Sequence, residues 1–567
     1  MGKEKKMGFI EGAMIIAVAN ILVKIIGAIF KIPLDTYVLN TDGMALYNTS
    51  YTIYNLLFVI STAGLPTAIS KLVAESDSRG DYDGSEKILK VSLVLLLCIG
   101  AVGSLILGVG SKLFSGLIGY SDAYLTMIAM SPSLFFVAGM SAFRGYFQGH
   151  GNMLPTAISE VLEAICKLFV GLSLAYMLLP KGKMFASAGA ISGVTVGSIL
   201  AFTFLVIYYL GKKNNEIKSE KTKVSSKRVL VNIVKIAVPI TLGVSVFTLT
   251  SFIDTAMVTN QMKGYIATSE VAEKSITGNL NEERAEAYEN IAADIEKGGA
   301  GNTAEKIKEN KAAFVYGYLV RAITLFNMPA VIISAIATSA VPAIASANAA
   351  GDKKKSRGFT KSALLITIVL ALPCAIGISL LAKPILSLIY GGDGSFSVLL
   401  NVMGIAVLFL TLVQIVNALL QSWGRVWVPV VNMLIGGAVK ILVNLILVGR
   451  PAINIMGAPI GTLLCYMTVA TLNIVSLCRY SGIKPDFKGY ILKPLLCAAI
   501  MSIFTLGIQY VLSGFTGEKI AMFISIAVSA VVYLMAIVFT KTLKKDEILL
   551  LPKGEKILSL MGKFRLI

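Results

Sequence analysis

Of 567 residues, 56% are hydrophobic and only 15% are charged, against roughly 45–50% and 25% in soluble domains. Apolar stretches recur from Gly8 almost to Lys541, so little chain is left for an aqueous catalytic domain. The net charge of +19 is compatible with nucleic acid until its distribution is considered, and the distribution points to membrane instead.

A core-spanning helix needs about 20 largely apolar residues. In chain order, spans are expected at 8–32, 45–74, 88–114, 123–146, 154–179, 184–210, 229–262, 312–345, 361–390, 397–421, 428–449, 456–478, 490–512 and 519–541. This is an all-α integral membrane protein with about fourteen transmembrane helices. The N-terminus superficially resembles a signal peptide, but its apolar run continues to Leu34 without a small-residue cleavage motif, so it is read as the first retained span. With the N-terminus cytoplasmic, about thirty Lys and Arg fall on inner segments and about five on outer loops. Both termini are then expected inside a bacterial plasma membrane. The basic runs Lys212 to Lys235, Lys353 to Lys361 and Lys541 to Arg565 suit anionic lipid headgroups.

The polar linker 211–228 separates an N-lobe, 1–210, from a C-lobe, 229–478. An outer insertion at 263–311, rich in Ala, Glu and Lys, is far longer than the usual connection of roughly 4–6 residues. Its composition fits a short solvated helical excursion or a disordered loop. A further helix pair occupies 479–541, and a basic tail 542–567 follows.

The lobes share internal similarity. Gln148, Gly149, Pro155, Lys167 and Gly189-Ala190-Ile191-Ser192-Gly193 are matched in order by Gln421, Gly424, Pro429, Lys440 and Gly457-Ala458-Pro459-Ile460-Gly461. Glutamine to lysine spans 19 positions in both. Leu65-Pro66-Thr67-Ala68-Ile69-Ser70 likewise matches Val341-Pro342-Ala343-Ile344-Ala345-Ser346. Six spans per repeat return the chain to its starting side, so the repeats are expected to run parallel with substrate between them.

Ionisable groups at membrane depth are costly and usually face a cavity or a partner. Asn20, Lys24, Gly27 and Lys31 follow i, i+4, i+7, i+11 spacing, which puts two cations on one stripe of the first helix. Lys31 is near enough to the outer end to snorkel. Arg321 is a third deep cation, suited to a phosphate or carboxylate, with an ion pair to a carboxylate such as Asp254 as the alternative. Glu163 and Lys167 have the favourable i,i+4 order for a helical ion pair. Glu160 and Asp254 are candidate proton or sodium sites. Prolines 66, 132, 155, 239, 329, 342, 373, 429 and 459 lie in or at the ends of spans, where each removes a backbone donor.

Enzymatic signals are weak. Asp81-Tyr82-Asp83 has the DxD form of metal-dependent sugar transferases but reads better as a solvated turn. His150, the single histidine, has no nucleophile arranged beside it. The six cysteines form no CxxC, which argues against a zinc site or disulfide framework. No GxxxxGK[ST] motif is present, so no ATP cofactor is expected.

The stretch Arg144-Gly145-Tyr146-Phe147-Gln148-Gly149, with Met153 to Ser159 and Glu163 to Lys167, resembles the polysaccharide flippases of the multidrug/oligosaccharidyl-lipid/polysaccharide exporter superfamily. Within it, the stage V sporulation protein B group, related to the lipid II flippases, is the most similar. The resemblance covers essentially the whole chain. It implies two six-helix lobes forming a V-shaped cavity, an extra helix pair, and rocking between inward-open and outward-open states. Basic residues on the first helix match Lys24 and Lys31, Arg321 lies about one turn from the basic position on helix eight, and Tyr51, Tyr54 and Asn55 occupy the region of a basic residue on helix two.

The expected function is translocation of an undecaprenyl-pyrophosphate-linked saccharide, most directly lipid II, with Lys24, Lys31 and Arg321 holding the anionic group. The alternatives are a cation-coupled multidrug exporter and a membrane-embedded sugar transferase or polymerase. Sodium or proton coupling or the membrane potential supplies the energy. The expected partners are the anionic lipid, membrane lipids and cell-wall synthesis machinery, and one chain suffices for a two-lobed cavity.

Overall fold

Within lipid no water satisfies stray backbone N–H and C=O groups, so a spanning segment must bond its backbone internally. The computed structural model describes residues 9–62, 64–213, 225–297, 303–338, 344, 347, 351–425, 427–483, 488–540 and 542, and every regular element among them is helical. Among the described residues, eleven helices are long and apolar enough to cross a membrane. The expected spans at 8–32, 229–262 and 312–345 fall on helices that include residues or side chains outside the described set. So do most of Val341 to Ser346 and the tail from Lys541.

The first helices are α1 (Phe9–Pro33), α2 (Asn40–Thr62), α3 (Leu65–Ser78), α4 (Tyr82–Val109), α5 (Ser111–Ile118) and α6 (Tyr124–Gly149). They are followed by α7 (Leu154–Cys166), α8 (Leu172–Leu178), α9 (Lys183–Lys213) and α10 (Ser226–Tyr265). With residues Ala312–Gly317 they make one compact unit, up to Asn260. Packing thus divides the chain inside α10, one helix later than the 211–228 linker. Val229, Ile233 and Ala237 of α10 join Ile69, Val73, Leu89, Phe143 and Leu205 in this unit's core.

The glycines of the Arg144–Gly149 stretch have a packing role here. A Cβ on Gly145 would lie 2.8 Å from the Pro66 carbonyl oxygen, and one on Gly149 would lie 2.6 Å from Val73 Cβ. The GxxxG spacing lets α6 lie directly on α3, as small residues do between membrane helices.

The second unit comprises Gln261–Lys311 and Tyr318–Ile567. The insertion forms α11 (Glu270–Thr277) and α12 (Glu282–Lys297), leading into α13 (Thr303–Thr338). Glu273 ties it together: its carboxylate accepts from Lys311 Nζ at 3.1 Å, Tyr288 Oη at 3.3 Å and the Ala267 amide at 2.9 Å. Of the two expected forms, the helical one is adopted, and it is packed.

Then come α14 (Lys353–Leu380), α15 (Ala382–Ile389), α16 (Ser397–Ser422), α17 (Trp427–Leu447), α18 (Gly457–Ser481), α19 (Lys493–Thr516) and α20 (Glu518–Phe539). The pair α19 and α20 packs on α14: Met501, Tyr533 and Ile537 meet Leu365, Val369 and Leu372, and Tyr533 donates to the Val369 carbonyl at 2.8 Å. Across α16, α17 and α18 a buried amide chain runs from Asn432 to Asn473 (2.8 Å) and from Asn473 to Asn417 (2.7 Å). Such side-chain bonds hold membrane helices together where the hydrophobic effect cannot.

Candidate substrate site

Three cations of the first unit converge. Lys24 is exposed on the surface of α1, and in the last turn of the helix Lys31 is half-buried and donates to Asn48 Oδ1 at 3.3 Å. Seven residues of α-helix separate them by about 10 Å along the axis. Lys167 is the third. The three ammonium groups are close enough to repel one another, while Asp35 offsets part of the charge of Lys31.

The expected Glu163–Lys167 pair does not form. Glu163 Oε2 instead accepts from Arg144 Nη2 at 3.3 Å, and Arg144 Nε donates to Ser159 Oγ at 2.9 Å. Here α7 ends at Cys166 and Lys167 opens a π-helical segment, Lys167–Gly171. The backbone between them stays α-helical, with the Lys167 amide still bonded to the Glu163 carbonyl, so the two side chains part because Arg144 takes the Glu163 carboxylate while aromatic rings receive the Lys167 ammonium.

Lys167 Nζ lies 5.1 Å from the ring centroids of Phe30 and Tyr51 and 5.9 Å from that of Tyr47. Those rings belong to an aromatic ladder: Phe30 to Tyr47 is 6.1 Å, Tyr47 to Tyr51 6.2 Å, Tyr51 to Tyr54 5.7 Å and Tyr54 to Phe58 5.9 Å. The π segment is set by backbone packing, since a Cβ on Gly193 would stand 2.5 Å from Gly171 Cα and 3.1 Å from the Lys167 carbonyl oxygen. In the second unit a Cβ on Gly461 would lie 3.5 Å from the Lys440 carbonyl oxygen. Glu160 of α7, within electrostatic reach of Arg144 and Glu163, has Oε2 buried with no hydrogen-bond partner among the described residues.

Arg321 sits in a site of its own in the second unit. It is 1% exposed, and its Nη1 lies 2.6 Å from Asp393 Oδ2. The same oxygen accepts from Tyr318 Oη at 3.1 Å and lies 3.4 Å from Arg284 Nε, while Tyr390 stacks 4.5 Å from the guanidinium. The expected ion-pair alternative for Arg321 is thus met by Asp393 and not by Asp254. The pair also anchors the insertion: the Asn281 amide donates to Ser395 Oγ at 3.0 Å and the Phe396 amide to the Asn279 carbonyl at 2.9 Å. Asp254 lies on α10 within electrostatic reach of Tyr316, which donates to Thr255 at 3.1 Å.

The transferase signal dissolves, because Asp81 caps α4, accepting from the Gly84 amide at 2.8 Å. His150 pairs with Asp77, whose other oxygen accepts from Ser85 at 2.7 Å. All six cysteines are free thiols. Sequence reasoning missed the aromatic ladder, although Tyr47, Tyr51, Tyr54 and Phe58 stand at i, i+4, i+7 and i+11. It also missed Asp393, which carries no local signal.

The family model for polysaccharide biosynthesis proteins matches residues 9–348, and that for the lipid II flippase MurJ matches 309–546. Stage V sporulation protein B of Bacillus subtilis (strain 168) is 24% identical over 559 residues, spanning 96% of this chain and 98% of the relative. The lipid II flippase MurJ of the same organism is 26% identical over 559 residues, spanning 93% and 94%. In fold, the chain is similar to lipid II flippase MurJ in an inward closed conformation, with TM-score 0.65, 15% identity and coverage of 93% and 99%. It is also similar to an inward-facing multidrug resistance MATE family transporter of the MOP superfamily, with TM-score 0.59, 14% identity and coverage of 82% and 96%. With its multiple apolar spans and its match over more than half the chain, this multi-pass bacterial membrane protein belongs to the polysaccharide biosynthesis protein family, within the flippases of the MOP superfamily.

Proposed function

We propose that this protein carries an undecaprenyl-pyrophosphate-linked saccharide, most directly lipid II, from the inner to the outer leaflet by alternating access. The observation that carries the reading is the Lys24–Lys31 stripe, two cations set in a membrane-embedded unit, with Asp35 offsetting part of the charge of Lys31. Each such charge costs roughly 2.5–3.5 kcal/mol on insertion scales, which an anionic ligand recovers. Lysines hold phosphate as point charges rather than rigid forks, which favours release on the far side. The similarity to a named lipid II flippase over nearly the whole chain supports the same reading. Both termini are cytoplasmic on this account, one chain suffices, and two parallel six-helix lobes rock about the substrate. Glu160 is the carboxyl available to a coupling proton, with the membrane potential as the other energy source. A cation-exporting drug transporter would place acids where Lys24 and Lys31 stand.

The test is leaflet exchange of labelled lipid II in proteoliposomes. Wild type is expected to support it, Lys24→Arg to support it more slowly and Lys24→Ala to lose it. Equal exchange by Lys24→Ala, with folded protein, overturns the role of this stripe.

A further inference from the structure

The chemistry of Lys167 is not exhausted by its failure to pair with Glu163. Among the described residues no carboxylate lies within ion-pair distance of its ammonium, which is held instead by Phe30, Tyr47 and Tyr51. Aromatic faces attract a cation through the ring quadrupole, and they do so without cancelling its net charge. A carboxylate would have fixed the side chain and neutralised it together. The rings fix it and leave the charge available.

Position adds to this. Lys167 shares its surroundings with Lys24 and Lys31 closely enough for the three charges to repel, an arrangement that an anionic ligand would stabilise. The residue opens a π-helical turn, a distortion that recurs at functional sites in helices. Gly193 holds that turn in place by backbone contact with Gly171 and the Lys167 carbonyl. Rotamer choice is restricted on one side by this packing and on the other by the rings.

We propose that Lys167 is a third anion-binding side chain of the Lys24–Lys31 site, oriented toward a lipid-linked pyrophosphate by Phe30, Tyr47 and Tyr51 instead of by an acid. The proposal rests on the flippase reading and extends it, because it assigns to helix α7 and its π turn a share of substrate selectivity. It also explains why Glu163 is turned to Arg144: a carboxylate facing Lys167 would compete with the substrate.

The experiment measures binding of undecaprenyl pyrophosphate to the purified full-length protein in detergent, by native mass spectrometry, with undecaprenol as the uncharged comparison. Wild type is expected to prefer the pyrophosphate. Lys167→Met, whose thioether stem still packs on the rings, is expected to bind it about tenfold or more weakly, the loss of one hydrogen bond to a charged group. Lys167→Arg should bind near wild type. Tyr51→Phe should be neutral, because the ring face remains, while Tyr51→Leu should weaken binding several-fold. Unchanged affinity in Lys167→Met overturns the proposal and leaves the flippase reading intact. If wild type shows no preference for pyrophosphate, both fail. Should Lys167→Met not fold, the Tyr51→Phe and Tyr51→Leu pair decides: equal affinity in the two overturns the assignment.

Discussion

Replacing Asp393 with alanine isolates one buried charge and gives a magnitude that can be worked through. Arg321 and Asp393 are 1% and 3% exposed at the side chain, with nitrogen and oxygen 2.6 Å apart. Removing one partner of such a pair leaves the other charge buried and uncompensated, at a cost of about 3–5 kcal/mol. Tyr318 loses its acceptor in the same step. Thermal unfolding in detergent should show a fall of roughly 6–10 °C, taking about 2 °C per kcal/mol for a unit of this size.

The double variant Arg321→Met with Asp393→Leu should recover much of that loss, because two apolar side chains replace the pair without stranding a charge. The loop carrying Asp393 also fixes an acid dependence. Burial opposes ionisation of Asp393, but Arg321 and the bonds from Ser395 outweigh it and hold the carboxyl below its ordinary value. A depressed carboxyl contributes stability above its unfolded value and loses it as pH falls through the folded one. Wild type should therefore lose this increment only in strong acid, and the double variant should lack that step. Wild-type unfolding in Asp393→Ala, or losses that simply add in the double variant, would refute the reasoning. A stable double variant that has lost transport would return Arg321 to the substrate.

Gly193→Ala places a Cβ 2.5 Å from backbone that cannot yield; overpacking of this kind costs about 1–3 kcal/mol, so melting temperature and pyrophosphate affinity should fall together. Gly116→Ala, with nothing within 4 Å of its Cβ, is the neutral control, and equal behaviour of the two variants would count against the packing argument. Glu273→Ala strands Lys311 and Tyr288, at a cost of about 1–3 kcal/mol. It should speed proteolytic cleavage within the 263–311 insertion, and an unchanged cleavage rate would mean that Glu273 is not what holds it.

Helices and their order were legible because lipid imposes one backbone solution and a fixed length. The Lys24–Lys31 stripe was legible for a related reason, since residues seven apart share a face in any regular α-helix. Lys167 was misread because Arg144 on another helix takes the Glu163 carboxylate and the rings of Phe30, Tyr47 and Tyr51 receive the ammonium, and nothing in Glu-x-x-x-Lys announces such distant competitors. Arg321 was read as a deep functional cation on chemistry alone. Its partner lies 72 residues away in a loop between helices, a distance over which spacing carries no information. The aromatic ladder lay between these cases: its periodicity was present in the sequence, but its meaning came only with the ammonium at its centre.

The central claim is that the cationic site selects for an anionic lipid head. Its most direct test is leaflet exchange in one preparation of proteoliposomes holding labelled lipid II and a labelled uncharged polyprenyl glycolipid, with and without a membrane potential. Protein-dependent exchange of lipid II alone is the predicted result; equal exchange of both lipids, or of neither under any potential, would contradict the account.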